Sequence, residues 1–312
     1  MATETMPAAR SSLVIGTRGS KLALVQTEMI RAALRAAHPG LEVGVETITT
    51  RGDVILDRPL SAIGDKGLFV TEIEDALRAG RVDLAVHSAK DLPSELPPDM
   101  TLAACPPRED PRDALLSREG HTLADLPTGA RVGTSSLRRT CQLRLLRPDL
   151  EIVDLRGNVD TRLRKLHEGQ YDAIVLAAAG LRRLGLAEHV TEWLSPEQML
   201  PAVAQGSLGI EARAGDAATQ ALLDALDDRT THLAVAAERA FLARIGGGCQ
   251  VPVAALASLE GGTLHLSGLI GARDGRAVRG QRSGPCVEPF ALGAALADEL
   301  LDSGGRDLLE QK

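Results

Sequence analysis

The chain has 312 residues, which at roughly 150 residues per domain points to two or three domains and leaves room for a large core. Apolar residues make up 44% and charged residues 25%; the formal net charge is −7, and the rings are three Phe, one Tyr and one Trp. That is globular composition, too acidic and too poor in rings for a general nucleic-acid binder. Residues 1–10 lack a basic head followed by an apolar stretch, so no secretory signal is read there. The longest apolar run, residues 173–181, is about half a membrane span. Cysteines 105, 141, 249 and 286 are too far apart for the paired spacing of a zinc site, and read as thiols. The expectation is a cytoplasmic protein with no membrane, nucleic-acid or metal partner.

Residues 13–15 read as a short strand that runs into Thr17-Arg18-Gly19-Ser20. A helix follows, with Leu22, Val25, Met29, Ala32 and Ala36 on one stripe, and it stops at Pro39-Gly40. Alternation over 41–46 predicts a strand, residues 50–66 a mobile loop, and Phe69, Ile73, Ala76 and Leu77 the next helix, closed by Gly80. A strand over 82–86 ends in His87-Ser88-Ala89-Lys90-Asp91. The proline-rich, charged segment 105–113 reads as a hinge. The same pattern then resumes: strands at 131–133, 152–155 and 173–176, each followed by a helix, with further boundaries near 195–209 and 227–228. From Thr230 onward there is one clear helix and then a Gly-rich region with Leu264, Leu266 and Leu269. Such alternation predicts an α/β fold with largely parallel strands.

Four polar clusters fall where a strand ends: 17–20, 87–91, 133–139 and 156–162. In open α/β sheets ligands bind outside the carboxyl ends of the strands. Thr134, Ser135 and Ser136 open a helix whose free N–H groups favour anions, and Arg138 and Arg139 follow at once. Arg156 and Arg162 flank Gly157-Asn158, and Arg18 precedes Ser20. Guanidinium forks hold carboxylates, so the pattern points to a small ligand bearing several of them. Taken singly, each piece also reads as a helix cap or a solvated basic face. Lys90-Asp91 reads either as an exposed ion pair or as a general acid–base that stabilises a developing cation. Cys249, after three glycines, reads either as a small buried cysteine or as a thiol presented for covalent attachment.

The strings TRGSKLALVQ (17–26), DLAVHSAKDLP (83–93), RVGTSSLRRTCQL (131–143), LRGNVDTRLRKL (155–166), LPAVAQGSLGIEAR (200–213) and GGCQVP (247–252) closely resemble the hydroxymethylbilane synthase, or porphobilinogen deaminase, family. The resemblance runs from about Leu13 to near the C-terminus. It implies a transferase that joins four porphobilinogen molecules head to tail, releasing ammonia each time, and then frees a linear tetrapyrrole by hydrolysis. It implies a covalent dipyrromethane cofactor on a thioether to Cys249, with Asp91 as the catalytic carboxylate. Arg18, Ser20, Lys90, Thr134, Ser135, Ser136, Arg138, Arg139, Arg156, Asn158, Arg162, Arg183 and Gln205 are implied to bind cofactor or substrate.

The implied fold is two similar α/β domains of the periplasmic-binding-protein kind plus a smaller α+β domain. The first spans 11–105, completed by about 206–224; the second spans 106–205; the third, 227–312, carries the cysteine. The family also implies a monomer. Two departures stand out: Ala89 replaces a methionine common in this string, and Gly246 stands where an acidic residue is frequent. Two other readings remain, a binding protein for a small polycarboxylate without chemistry, and a cysteine hydrolase pairing Cys249 with His87.

Overall fold

The computed structural model describes residues 10–54, 67–246 and 251–310. Strand β1 (Ser12–Thr17) lies parallel to β2 (Glu42–Thr47) and β3 (Leu84–Ser88). Strand β10 (Leu208–Arg213) returns antiparallel between β3 and β4 (Met100–Ala104), giving the order β2-β1-β3-β10-β4. The second sheet repeats this plan. Here β6 (Arg131–Gly133) is parallel to β7 (Glu151–Val153) and β8 (Ala173–Ala177), while β5 (Asp113–Ser117) runs antiparallel between β8 and β9 (Glu192–Leu194). The strands are therefore largely parallel, as the alternation predicts, with one reversed strand in each five-stranded sheet. Each reversed strand follows a passage of the chain from one sheet to the other.

Helix Lys21–Ala37 turns a different face inward from the predicted one. Gln26, Thr27, Ile30 and Leu34 are buried, whereas Met29, Ala32 and Ala36 are exposed. The shift has a polar cause: Thr27 bonds Thr17 (2.7 Å) and Gln26 donates to Ser88 (3.1 Å), so two polar residues carry the buried stripe beside the ends of β1 and β3. Below them Leu13, Ile15, Ile30, Leu34, Leu84 and Ile210 form the core of the first unit. In the second unit, Leu115, Val132, Leu143, Val175 and Leu194 do the same.

The chain crosses between the sheets through residues 105–112 and again through 195–207, and the two passages touch. Glu109 donates its N–H to the Gly206 carbonyl at 3.2 Å. Gly206 has φ +91°, and a Cβ there would lie 2.3 Å from the Glu109 carbonyl oxygen, so only glycine fits.

The third unit is an antiparallel meander, β11 (Val253–Glu260), β12 (Thr263–Gly271) and β13 (Ala277–Pro285). Helices Arg229–Ile245 and Pro289–Leu300 cover one face of it, burying Phe241, Leu264, Leu266, Leu292 and Leu296. On its other face Ala254 and Leu269 meet Leu200 of the second crossing. The joint is ionic as well as apolar. The fully buried Glu238 carboxylate accepts from Arg108 (2.6 and 3.2 Å) and from the N–H groups of Ala204 (2.6 Å) and Ala257 (2.8 Å). It thus binds both crossings to helix Arg229–Ile245 and to β11. Glu238→Leu is expected to destabilise the chain by about 3–5 kcal/mol, because Arg108 and two amides lose their acceptor. Urea unfolding monitored by circular dichroism measures this, and a loss under about 1 kcal/mol would contradict it.

Candidate active site

All four polar clusters lie at the carboxyl ends of parallel strands, β1, β3, β6 and β7. Ser20 caps helix Lys21–Ala37, its Oγ accepting from the Ala23 N–H at 3.3 Å. Ser136 and Asn158 hold the N-cap positions of helices Leu137–Leu146 and Val159–His167 without a side-chain cap bond. Thr134 is buried and accepts from the Ser136 N–H (3.2 Å), while Ser135 donates to the Leu155 carbonyl, joining the ends of β6 and β7. After β3 a single 3-10 turn, Ala89–Asp91, brings Asp91 to the surface as an exposed carboxylate. It shares a small cleft with Arg18, Ser20, Gln26, Phe69 and Ser88.

The two units face each other across these ends. Lys21 of the first lies 3.7 Å from Asp160 of the second. Arg162 is held by the Gly157 carbonyl (2.7 Å). Burial pushes its pKa down to about 10, reinforced by Arg139 and Arg156, while Asp154 and Asp91 pull the other way. Arg156 is half-buried within the same positive field. Arg183 donates from Nη2 to the Gly206 carbonyl (2.6 Å), and its buried Nε has no partner among the described residues.

Beneath this surface lies Asp113, fully buried at the start of β5. Its Oδ2 accepts from Arg138 (2.7 Å), and its Oδ1 accepts from Arg139 (2.7 and 3.1 Å) and from Gln205 (2.9 Å). Burial alone would raise the Asp113 pKa, but the two guanidinium groups outweigh it and hold the carboxyl well below its usual range. Arg138 and Arg139, only 4% and 6% exposed, therefore lie inside the protein, with Nη1 of Arg138 and both Nε and Nη2 of Arg139 turned onto Asp113. Arg139 also donates to the Val175 carbonyl (2.9 Å) and Arg138 to that of Leu200 (2.7 Å), leaving the Arg138 Nε without a partner among the described residues. Gln205, in turn, accepts from Lys90 Nζ at 3.3 Å. Burial pushes the Lys90 pKa down to about 8; Asp91 opposes this, and Arg139 and Arg138 add to it.

Arg18 is supported from two sides. Asp53 takes its Nε and Nη2 (3.2 and 2.5 Å), and its guanidinium stacks over Phe69 at 4.1 Å. Phe69 belongs to the turn before helix Thr71–Arg78 and not to that helix, contrary to the predicted stripe. Residues 50–54 of the predicted mobile loop include a single helical turn, Arg51–Val54; residues 55–66 lie outside the described residues. Cys249 and its neighbours 247–250 lie outside them as well.

His87 is buried and bonds Glu211 at 3.1 Å, which places it in the core of the first unit. Cys105 and Cys141 are buried, and burial pushes the Cys105 thiol up to about 12. Both departures fit their surroundings. Ala89 is buried, with its N–H on the Ser207 carbonyl (3.0 Å), and Gly246 ends helix Arg229–Ile245 in the left-handed region at φ 71°. Sequence reasoning missed Asp113, Asp53 and Gln26. Nothing local marks Asp113, whose partners stand 25, 26 and 92 positions away.

A family model described as "Porphobilinogen deaminase, dipyromethane cofactor binding domain" matches residues 13–221, and "Porphobilinogen deaminase, C-terminal domain" matches 232–302. A relative named porphobilinogen deaminase from Roseiflexus castenholzii is 73% identical over 300 residues, covering 96% of this chain and 99% of that protein. Another so named, from Syntrophobacter fumaroxidans, is 54% identical over 298 residues, covering 95% and 96%. The chain is also similar to the periplasmic aliphatic sulphonate binding protein SsuA of Escherichia coli, at 16% identity and a TM-score of 0.41, over 75% and 70% of the two chains.

The lowered Lys90 pKa has a pH signature. Protonating this amine is harder in the folded chain than in the unfolded one, so its charge destabilises the fold fully below about pH 8. The penalty fades as pH rises towards the ordinary lysine value of 10.5. The stability of Lys90→Met relative to the wild type is therefore expected to fall between pH 8 and pH 10. Urea midpoints across that range measure it, and parallel curves would contradict it.

Proposed function

The chain belongs to the porphobilinogen deaminase family, and from that premise we propose that it joins four porphobilinogen molecules head to tail, releasing ammonia each time, and frees the linear tetrapyrrole hydroxymethylbilane by hydrolysis. One observation supports this most: the arginine-bearing strand ends of two α/β units converge on the exposed carboxylate of Asp91. We read the three sheets as three domains, 11–105 completed by about 206–224, then 106–205, then 227–312. The protein acts as a monomer in the cytoplasm, without nucleic acid. No described helix is long and apolar enough to cross a membrane.

The family's dipyrromethane cofactor carries carboxylates, and the residues present suit it. Buried Nε donors of Arg138 and Arg183 lack partners among the described residues, and Ser136 and Asn158 stand at N-caps without side-chain cap bonds. Those four, with Arg156, Arg162, Thr134 and Ser135, would hold it, and Cys249 would anchor it through a thioether. When bound, the cofactor supplies the pyrrole carbon to which the growing chain is joined. Arg139 contributes charge more than a fork, because Asp113 and Val175 take its donors.

Loss of ammonia from the aminomethyl group of porphobilinogen leaves a cation spread over its pyrrole. Asp91, exposed at the cleft, lies where a fixed carboxylate stabilises that charge and takes up the proton freed when the next carbon–carbon bond forms. Arg18 and Ser20 receive the acetate and propionate of the incoming substrate, with Phe69 and Asp53 fixing where the Arg18 guanidinium stands. Lys90, held by Gln205, adds a cation beside Asp91 for a carboxylate of the substrate.

Asp91→Asn is expected to fold normally and to lose at least about a hundredfold in ammonia release from porphobilinogen. Undiminished release would overturn the assignment. Cys249→Ser is expected to yield a chain without thioether-bound pyrrole, measured by mass spectrometry of tryptic peptides; an unchanged adduct would contradict the anchor.

A further inference from the structure

The lining of the cleft beside Asp91 divides by chemistry. Arg18 follows β1, and Leu22, Ala23, Phe69 and Val86 supply apolar walls. On the side of β3 stand three groups that offer oxygen, Ser88, Asp91 and Gln26. Ser88 precedes the 3-10 turn Ala89–Asp91, and residues three apart in such a turn share one side, so Ser88 and Asp91 face the cleft together. Gln26 comes from helix Lys21–Ala37, one turn beyond Leu22 and Ala23, and is only 3% exposed. Its Nε2 donates to Ser88 Oγ at 3.1 Å, while its Oε1 meets only the same hydroxyl, at 3.5 Å. A carbonyl oxygen offers two lone pairs, and among the described residues neither has a bond of ordinary length here. Further along the same buried stripe stand Ile30 and Leu34, so packing alone would favour an apolar residue at 26.

Porphobilinogen divides in the same way. It has two carboxylates, a flat ring, and an aminomethyl group that is an ammonium at neutral pH, as primary alkylamines are. An ammonium has three N–H donors and no acceptor, so only oxygens suit it. We infer that Gln26 Oε1 and Ser88 Oγ receive this ammonium, and that Gln26 selects porphobilinogen over a substrate with a neutral leaving group. This rests on the proposed condensation at Asp91. The chemistry needs the charged form. The carbon–nitrogen bond breaks with its electron pair on nitrogen, so a group that is still protonated departs as neutral ammonia and leaves its positive charge on the ring. Acceptors around the nitrogen hold its protons in place until the bond breaks, and Asp91 stays free for the charge that develops on the ring. A hydroxymethyl group in the same position presents one donor and no charge. Its bonds to the same oxygens are weaker, by roughly half.

The test compares kcat/KM for porphobilinogen with kcat/KM for its hydroxymethyl analogue, which loses water where porphobilinogen loses ammonia. Wild type, Gln26→Met and Gln26→Glu are each used as the cofactor-bearing chain, and formation of the linear tetrapyrrole is measured for both substrates. Gln26→Met, similar in volume and without the amide, is expected to lower the ratio of the two values by about tenfold or more, with the analogue changed less than about threefold. Gln26→Glu, which keeps the oxygen and adds a charge, is expected to raise the ratio above that of the wild type. A merely structural lesion slows both substrates alike. An unchanged ratio in Gln26→Met therefore overturns the inference, as does a ratio in Gln26→Glu at or below the wild-type value. Should one variant fail to fold, the other decides alone on the same terms. If neither folds, Ser88→Ala decides: a lowered ratio supports the inference and an unchanged one overturns it. Failure of the functional reading is distinct, because the wild type itself would then release no ammonia from porphobilinogen.

Discussion

One buried carboxylate organises the candidate site. Asp113 stands where the first crossing enters the second sheet, and it draws in Arg138 and Arg139 from the helix after β6 and Gln205 from the second crossing. Two cations packed side by side out of water would repel each other strongly. A single anion between them turns that repulsion into a clamp, at the expense of desolvating all three groups. The clamp joins elements far apart in sequence, and Gln205 extends it to Lys90, the residue before Asp91. The position of the proposed catalytic carboxylate therefore traces back, through the side chains of Lys90 and Gln205, to Asp113.

That arrangement divides the arginines into two groups. Arg139, and Arg138 through its Nη1, are committed largely to joining β5, β8 and the second crossing within the second unit, so their benefit to a ligand is mostly the net positive charge they leave at the base of the cleft. Arg18, Arg162 and Arg183 stand nearer the open face, Arg18 steadied by the Asp53 carboxylate and the Phe69 ring, Arg162 by the Gly157 carbonyl and Arg183 by the Gly206 carbonyl. A second clamp, Glu238 with Arg108, attaches the third unit to the crossings through the same logic of one buried anion meeting several donors. Both clamps lie on the crossing segments, which is where an α/β protein of two units most needs its geometry defined.

Much of the candidate site was legible in the sequence because its signals are local. A strand followed by small hydroxyl residues and then a helix places Ser20 and Ser136 at helix starts by short-range rules alone, and the structure finds them there. The reversed strands β5 and β10 were not legible, since strand direction is decided by long-range pairing. Segment 105–113 reads as a charged hinge, yet it ends in the most tightly held carboxylate of the candidate site, because charge near proline marks solvent unless distant partners are known. The inward face of helix Lys21–Ala37 was misassigned for a related reason: Gln26 and Thr27 are polar, and hydrophobic periodicity counts them as surface.

The central claim is that this cleft serves a covalently primed condensation, and intact-protein mass spectrometry after incubation with porphobilinogen tests it most directly. The account predicts a mass excess of two linked pyrrole units on the resting chain, mapping to the peptide that contains Cys249, with further pyrrole units added in steps during turnover. A chain that keeps its unmodified mass throughout would contradict it, and would leave an arginine-lined cleft that binds polycarboxylates without joining them.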